Sequence, residues 1–310
     1  MKYRTLGRTG LQVSEVGFGG WAIAGNRHGN SYGPTDDTAS LRSILRAVEM
    51  GCNFFDTADM YGHGHSEDLL GEALSESPEV LIATKVGGNF YGNVTVLDFT
   101  PKYVAYACEQ SLRRLRRKTI DLYQLHNPSL EVIKDGRVFD VMDEMKRGGK
   151  IRHYGVSVFT PEETLACIED GRPETLQLVY SIVNQSMAKE VFPAARAENV
   201  GVIAREPLAN GFLSGKYNAA SAFTQGDIRH NFPPRYQEAL AGAARYLKDG
   251  LVTEGRTLAQ AALRFVLDNE AVSVVIPGCK TPDQAKENMS ASALAPLSAE
   301  ETDLVLSLFR

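Results

Sequence analysis

Eight short apolar runs alternate with longer segments of helical periodicity along this chain. The apolar runs occupy residues 16–18, 53–55, 80–84, 120–125, 154–157, 175–179, 200–204 and 272–276. The helical patterns lie at 37–50, 66–76, 101–114, 137–148, 161–169, 188–198, 257–268 and 281–290. Strands in β-α order predict an α/β protein with a parallel sheet, and eight is the number that closes a (β/α)8 barrel.

The order of these elements favours a closed barrel over a doubly wound open sheet. The β-α order never changes to a second pattern and no linker divides the chain, so we expect one (β/α)8 (TIM) barrel domain over residues 1–310. Glycine turns near the N-terminus predict a β-hairpin ahead of the barrel, and an extra helix pattern lies at 235–249. Residues 218–234 lack periodicity and are too long for an ordinary connection, which is typical of a functional loop.

Charge argues against one class of partner, and the cysteine content and hydropathy indicate the expected compartment. The net charge of −5 leaves no basic surplus to neutralise phosphates, which argues against nucleic acid. The basic run at 113–118 ends a helix pattern, where it suits the negative helix end. No apolar run reaches 18 residues and there is no C-x-x-C pair, so we expect a reduced, soluble, cytoplasmic protein without a membrane span. The cysteines are Cys52, Cys108, Cys167 and Cys279.

Four residues with complementary proton chemistry fall at the ends of successive predicted strands. Asp56 follows the second run, Lys85 the third and His126 the fourth, while Tyr61 lies in the loop after Asp56. In such a barrel the carboxyl ends of the strands line one mouth, where catalysis is found. We therefore expect these four side chains to meet there.

A phenol beside an ammonium group can act as a general acid. An ammonium about 4 Å from a phenolate stabilises it by roughly 4 kcal/mol at an effective dielectric near 20, which could lower the pKa of Tyr61 by up to roughly 3 units before burial opposes it. Asp56 would hold Lys85 charged and pointed at Tyr61. His126 can hydrogen-bond a substrate carbonyl oxygen without titrating. The set contains no nucleophile and no evident metal site, so the electrons must come from a cofactor.

Two motifs suggest other functions. Residues 17–22 fit the G-x-G-x-x-A dinucleotide fingerprint, but that motif opens a helix directly after a strand, whereas 24–37 reads as loop. His63 and His65 suggest a metal-dependent barrel hydrolase. No matching histidine or aspartate set stands at later strand ends, so we expect no metal site.

The chain resembles the aldo-keto reductases over essentially its whole length. The segments that carry the resemblance are GFGGWAIAG (17–25), FDTADMYGHGHSEDLLGEAL (55–74), IATKVG (82–87), DLYQLHNP (121–128), GKIRHYGVSVF (149–159), LQLVYS (176–181), PLANGFLSGKY (207–217) and IPGCKTPDQAKEN (276–288). The family consists of NADPH-preferring (β/α)8 oxidoreductases without a Rossmann domain. Residues 224–230 (TQGDIRH) resemble the bacterial stress-type and sugar-type branch.

The resemblance implies roles for the four strand-end residues. Asp56, Tyr61, Lys85 and His126 match the family's catalytic residues in order and context. Tyr61 would be the general acid in carbonyl reduction and the general base in the reverse reaction. The intact set leaves open a second function, an NADPH-binding redox-sensing subunit with slow turnover.

The resemblance also implies a set of cofactor contacts. Ser157 and Gln177 would hold the nicotinamide carboxamide, while Gln284 and Asn288 would face the adenine. The full set is Gly20, Trp21, Asp56, Ser157, Gln177, Arg205, Pro207, Leu208, Gly278, Lys280, Thr281, Gln284 and Asn288.

The last of these segments can also be interpreted physically. Thr281 is placed to cap a helix whose free N–H groups favour an anion, and Thr281 to Gln284 suit a capping box, as do Thr160 to Glu163 at an earlier helix pattern. Barrel phosphate sites commonly use the loops after strands seven and eight. Lys280 beside this helix start suits an adenosine 2′-phosphate, which favours NADPH over NADH.

Two positions depart from the family pattern. Val158 stands where the family often has asparagine, so one carboxamide contact is missing or supplied elsewhere. Arg205 stands where many members stack an aromatic ring on the nicotinamide. Arg205 could instead touch the pyrophosphate or pair with Glu206.

The expected substrate is a small carbonyl compound or sugar. Its contacts would be Trp21, Tyr61, His126 and Asn127. An apolar wall could be completed by Tyr32, Phe90 and Tyr91, while Asn127 and Arg229 could favour a polyol or an anionic group.

Overall fold

An antiparallel hairpin precedes the barrel, as predicted. A computed structural model describes residues 1–27 and 31–308. The hairpin strands are Tyr3–Thr5 and Gln12–Ser14, with Tyr3 opposite Ser14. Leu6, Leu11 and Val13 of this hairpin pack against inward-facing strand residues, so the hairpin closes the amino-terminal end of the barrel.

Eight parallel strands form the barrel, which confirms the predicted fold class. Sheet pairing runs in chain order, and bridges from Val16 to Val275 and from Gly19 to Gly278 close the first strand onto the last. The barrel strands are Phe18–Gly19 (β1), Phe54–Asp56 (β2), Leu81–Val86 (β3), Ile120–His126 (β4), Ile151–Ser157 (β5), Thr175–Val179 (β6), Gly201–Arg205 (β7) and Val272–Val275 (β8).

Helices cover the outer face of the strands. They are Asp37–Glu49 (α1), His65–Leu74 (α2), Pro101–Arg114 (α3), Leu130–Asp135 (α4), Arg137–Arg147 (α5), Pro161–Asp170 (α6), Val191–Ala197 (α7), Pro234–Leu251 (α8), Leu258–Leu267 (α9), Pro282–Ser290 (α10) and Ala299–Ser307 (α11). A two-stranded flap, Gly88–Asn89 with Val96–Leu97, follows β3. No helix within the described ranges has the length and apolar character needed to cross a bilayer.

The helix starts explain both a success and an error of the sequence prediction. Thr160 and Glu163 form the predicted reciprocal capping box at α6. Thr281 does cap α10, but the Gln284 side chain accepts a hydrogen bond from the Lys280 N–H at 2.8 Å instead of returning to Thr281. Of the two hydrogen bonds predicted for the capping box at Thr281, only the one accepted by the Thr281 side chain is formed. Helix α4 was not predicted.

The glycine-rich segment after β1 does not open a long helix. It forms a short 3-10 helix, Gly20–Ile23, and α1 begins only at Asp37. This agrees with rejection of the dinucleotide fingerprint. Of the predicted loop at 24–37, residues 28–30 lie outside the described residues.

A buried carboxylate ties the hairpin to the far end of the chain. Glu15 is 1% exposed, and it accepts hydrogen bonds from Arg4 Nε and Ser292 Oγ, both at 2.9 Å. Arg264 Nη1 lies 3.4 Å from Glu15 Oε1, so two guanidinium groups contact this one buried carboxylate.

Glu15→Gln is expected to lower the free energy of unfolding by about 1–3 kcal/mol, because charged hydrogen bonds become neutral and one amide N–H faces a guanidinium. Urea unfolding measures the change. Glu49→Gln is the control, because Glu49 forms an exposed ion pair with Arg46 and its loss should have little effect. Equal stability of the two variants would contradict this role of Glu15.

Candidate active site

The four predicted strand-end residues meet at the carboxyl-terminal mouth of the barrel. Asp56 ends β2, Lys85 lies near the end of β3 and His126 ends β4. Lys85 Nζ lies 2.5 Å from Asp56 Oδ1 and 3.1 Å from Tyr61 Oη. The His126 ring approaches the Tyr61 ring edge-on, with centroids 5.6 Å apart. The expectation that these four side chains come together is met.

Lys85 is a fully buried cation with all of its donors used. Besides Asp56 and Tyr61, its ammonium donates to the Thr57 carbonyl at 2.9 Å, which accounts for the three N–H groups of a lysine. Burial opposes the charged form, but Asp56 and Tyr61 outweigh it and hold the pKa of Lys85 above its ordinary value. Lys85 is therefore charged and directed at the Tyr61 hydroxyl.

Two glutamines on the inner wall of the barrel hold Asp56 in place. Gln177 Nε2 donates to Asp56 Oδ2 at 2.7 Å, and Gln124 Nε2 donates to the same oxygen at 3.2 Å. Gln124 was missed by sequence reasoning. Its signal is a polar residue two positions before His126, because residues two apart on a strand share a face.

The net shift in the acidity of Tyr61 differs from expectation. Its ring is partly open to the cavity, but protein groups crowd the hydroxyl, and this burial raises the pKa of Tyr61. Lys85 lowers the pKa, as expected, yet by less than burial raises it. Burial therefore outweighs the predicted effect of Lys85, and Tyr61 is a neutral phenol that retains a proton to donate.

His126 is a neutral imidazole at the edge of the same site. Burial, together with the positive charges of Lys85 and Arg205, holds its pKa well below the usual value. Its Nδ1 is buried without a hydrogen-bond partner among the described residues. A neutral ring donates from one nitrogen only, so His126 can donate one hydrogen bond without carrying charge.

A cavity of about 800 Å³ extends from these residues to the amino end of α10. The cavity is lined by every residue predicted to contact substrate or cofactor or to act in catalysis, except for four. The exceptions are Gly20, Lys85, Ser157 and Thr281. Lys85 lies behind Tyr61, and Thr281 serves as the α10 cap. Gly20 contacts the α2 start through its backbone, where a Cβ would come within 2.7 Å of Ser66 Oγ.

Ser157 reaches the cavity only through a neighbour. Its hydroxyl donates to Asn127 Oδ1 at 3.1 Å, and Asn127 lines the cavity. Gln177 lines it directly, and its Oε1 is buried without a hydrogen-bond partner in the described part of the chain. The cavity wall therefore presents the unsatisfied acceptor Gln177 Oε1 and the side-chain amide of Asn127.

Arg205 pairs with the adjacent Glu206, one of its two expected alternatives. It also donates to the Val158 carbonyl at 3.2 Å, and its guanidinium lies 4.5 Å from the centre of the exposed Phe159 ring. The charge of Arg205 is thus largely compensated within the cavity wall.

At the far end of the cavity, Lys280 bridges two loops. Its ammonium donates to the Tyr32 carbonyl at 2.5 Å and to the Pro34 carbonyl at 3.2 Å. Burial and nearby Arg229 lower the pKa of Lys280. Asn288 directs its amide at Cys279 Sγ, 3.2 Å away.

The long loop at 218–234 is anchored by Arg229. Its guanidinium makes two hydrogen bonds to Asp227, at 2.6 and 2.9 Å, and stacks on Tyr32, Tyr217 and Phe223. Only 6% of Arg229 is exposed. Arg229 lines the cavity, but its charge is paired with Asp227, so it attracts an anionic group less than a free guanidinium would.

Part of the expected apolar wall lies elsewhere. Trp21, Tyr32 and Tyr61 line the cavity, whereas Phe90 and Tyr91 do not. Phe90 stacks between His63 and Tyr91, with centroids 4.7 and 4.5 Å away. The second histidine of the proposed metal motif, His65, bonds Asp37 at 2.9 Å.

Comparison with known proteins identifies similar sequences and structures. The family model "Aldo/keto reductase family" matches residues 15–308. The chain is 30% identical over 291 residues to the aldo-keto reductase YhdN of Bacillus subtilis (strain 168), which covers 92% of this chain and 86% of that protein.

Two solved structures share the fold over nearly the whole chain. The holo form of the aldo-keto reductase AKR11C1 from Bacillus halodurans matches with a TM-score of 0.82 and 32% identity, over 99% of this chain and 96% of that one. The glycerol dehydrogenase AKR11B4 from Gluconobacter oxydans matches with a TM-score of 0.85 and 30% identity, over 99% and 95%.

Proposed function

The chain belongs to the aldo/keto reductase family of oxidoreductases, and from that membership we propose that it reduces aldehydes or ketones with NADPH, or oxidises the corresponding alcohols or sugars. The observation that carries the proposal is the contact of 3.1 Å between the Lys85 ammonium and the Tyr61 hydroxyl, with Asp56 fixed behind Lys85 at 2.5 Å. A cation aimed at a phenol inside a cavity is an arrangement suited to proton donation.

The protein's own part in the reaction is to handle a proton and a developing charge. In reduction, Tyr61 Oη donates its proton to the substrate oxygen as negative charge builds there. Lys85 stabilises the phenolate that this leaves, and Asp56 keeps the ammonium in position. His126 donates a hydrogen bond to the same oxygen, which stabilises the transition state in a site that excludes most water.

The cavity wall fits a nicotinamide dinucleotide, which when bound supplies the hydride. Gln177 Oε1 is a buried acceptor without a partner among the described residues, and it suits the N–H group of a carboxamide. Asn127, held by Ser157, can supply the contact that Val158 cannot. Trp21, Arg205, Pro207, Leu208, Gly278 and Gln284 line the rest of the cavity.

Substrate contacts in this proposal come from Trp21, Tyr61, His126 and Asn127. All four line the cavity. The similar structure from Gluconobacter oxydans is a glycerol dehydrogenase, which supports small hydroxylated compounds among the substrates of this chain.

Lys280→Ala is expected to weaken NADPH binding roughly 10- to 100-fold, the equivalent of a charged hydrogen bond of about 1.5–3 kcal/mol. In this proposal the ammonium exchanges its contacts with the Tyr32 and Pro34 carbonyls for the 2′-phosphate. NADH lacks that phosphate and should lose much less affinity. Fluorescence titration with each dinucleotide measures the difference, and equal weakening of both would remove the 2′-phosphate assignment.

Cofactor oxidation over a panel of aldehydes, sugars, methylglyoxal and quinones tests the proposed function. At least one substrate is expected to support many turnovers per protein molecule. A redox-sensing subunit would instead oxidise about one equivalent of bound NADPH and stop. Oxidation limited to one equivalent across the panel would contradict the proposal.

A further inference from the structure

A second group of ionisable side chains lies outside the barrel, directly behind the turn that carries Tyr61. This Asp59 cluster consists of Asp59, Glu67, Thr84, Arg114 and Tyr123, contributed by the turn, α2, β3, α3 and β4. None of the five lines the active-site cavity. The proton chemistry proposed above does not use them.

Glu67 and Arg114 form a satisfied ion pair within this cluster. Glu67 is fully buried, and it accepts hydrogen bonds from Thr84 Oγ1 at 2.5 Å and from Arg114 Nε at 2.6 Å. Arg114 Nη1 donates to Tyr91 Oη at 3.0 Å. The guanidinium is thus already committed to one carboxylate.

Asp59 is the second carboxyl group of the cluster, and it forms no ion pair with Arg114. It is fully buried, and no side chain among the described residues donates a hydrogen bond to either of its oxygens. The backbone N–H groups of Met60 and Gly87 interact with it, but not with the geometry of a full hydrogen bond. Tyr123 Oη and Arg114 Nη2 are also buried without a hydrogen-bond partner among the described residues. An ionised carboxylate there would be desolvated and would face Glu67, both of which are unfavourable.

Titratable groups surround Asp59 on every side. Burial and the Glu67 charge raise its pKa well above the usual value, while the Met60 N–H, the Arg114 charge and the Gly87 N–H oppose this to a lesser degree. The groups that face it are Glu67 from α2, Arg114 and Tyr103 from α3, Tyr123 from β4 and Tyr91 beside the flap.

The turn that carries Tyr61 is joined to the Lys85 strand on one side and packs against Arg114 of the cluster on the other. Two residues before Tyr61, the Asp59 N–H donates to the Lys85 carbonyl at 3.1 Å. Three residues after it, Gly64 has φ +93°, and a Cβ there would come within 2.6 Å of Arg114 Cδ. A shift in the cluster would therefore move Tyr61 relative to Lys85.

We propose that Asp59 is a positioning residue that, as a neutral carboxylic acid, fixes the Tyr61 turn against the strand that bears Lys85. A neutral acid offers one O–H donor and one carbonyl acceptor. These match the unsatisfied Tyr123 hydroxyl and Arg114 Nη2, directly or through one water. An ionised Asp59 could also accept from both of these groups, but it would be desolvated and would repel Glu67. The effect on catalysis rests on the proposed function, whereas the protonation state does not.

Infrared difference spectroscopy of the intact protein tests the protonation state without turnover. At neutral pH the wild-type protein is expected to show the C=O band of a protonated carboxyl group, and Asp59→Asn is expected to lack it. Glu72→Gln is the matched control, because Glu72 is an exposed carboxylate on the same helix as Glu67 and its replacement should leave the band in place. A band that persists in Asp59→Asn would overturn the proposal.

The pH dependence of kcat, measured with saturating cofactor, tests the positioning role. Only the protonated form holds the turn, so wild-type kcat should fall as pH rises through the pKa of Asp59. The amide introduced by Asp59→Asn cannot ionise, so this variant should lose kcat only at higher pH. Coincident profiles would contradict the role.

A substitution series separates positioning from a general loss of structure. Asp59→Ala should lower kcat on the order of 10- to 100-fold, the effect of a small misplacement of a catalytic group. Asp59→Asn should recover much of this loss, because the amide keeps a donor and an acceptor. NADPH affinity should not follow the same order, since the cluster lies outside the cavity. Parallel losses of kcat and NADPH affinity would indicate a structural role only.

Discussion

Tyr61→Phe is expected to lower kcat for carbonyl reduction by roughly 10²- to 10⁴-fold, the contribution of one positioned general acid. Phenylalanine keeps the ring that stacks near Trp21 and His126 but removes the hydroxyl that contacts Lys85. The substrate oxygen then has no nearby acid as its negative charge develops. Steady-state kinetics with NADPH and the best substrate of the panel gives the change.

Two controls separate loss of the acid from damage to the cavity. NADPH binding, followed by fluorescence quenching, should persist in Tyr61→Phe because the dinucleotide contacts are formed by other residues. Tyr32→Phe removes a phenol hydroxyl from the same cavity, but that hydroxyl bonds Asn210 Oδ1 at 2.9 Å, so its effect should be much smaller. Comparable turnover in Tyr61→Phe and the wild type would refute the assigned role.

Lys85→Met is expected to reduce both activity and stability. Lys85 and Asp56 form a buried ion pair, with side-chain exposures of 0% and 2%. Removing one partner of such a pair lowers the free energy of unfolding by about 3–5 kcal/mol, because a charge is left buried and unpaired. Activity should also fall steeply, since no cation then stabilises the Tyr61 phenolate. Urea unfolding and steady-state kinetics measure the two effects.

The double variant Lys85→Met with Asp56→Asn distinguishes these effects. Neither side chain carries a charge in the double variant, so it should regain much of the stability that Lys85→Met loses. Activity should not return, because the cation beside Tyr61 is still absent. A double variant no more stable than Lys85→Met would show that the unpaired charge of Asp56 is not the cause of the instability.

The barrel and its four central residues could be predicted because their signals are local. Asp56, Lys85 and His126 each follow a strand-like run, and parallel strands in chain order bring such ends together. The contact of Gln124 with Asp56 depends on which face of β4 turns inward. That face follows from counting back two positions from His126, a step that sequence reasoning had not taken.

Other features depend on contacts between segments distant in the chain. The pair of Arg229 with Asp227 is local, but the guanidinium is also covered by the Tyr32 ring from the loop after β1, and no local pattern predicts that contact. Ser157 meets Asn127 because β4 and β5 are neighbours and end side by side, and the Ser157 hydroxyl donates to the Asn127 side chain. The net acidity of Tyr61 depends on how closely the surrounding groups pack, which spacing along the sequence does not determine.

The pH dependence of alcohol oxidation in wild-type protein and Lys85→Met tests most directly whether the Lys85 ammonium sets the acidity of Tyr61. In this direction Tyr61 must first lose its proton, so kcat/KM rises with pH through its pKa. Loss of the cation should move that rise to higher pH by up to about 3 units. A rise at the same pH in both proteins would contradict the account.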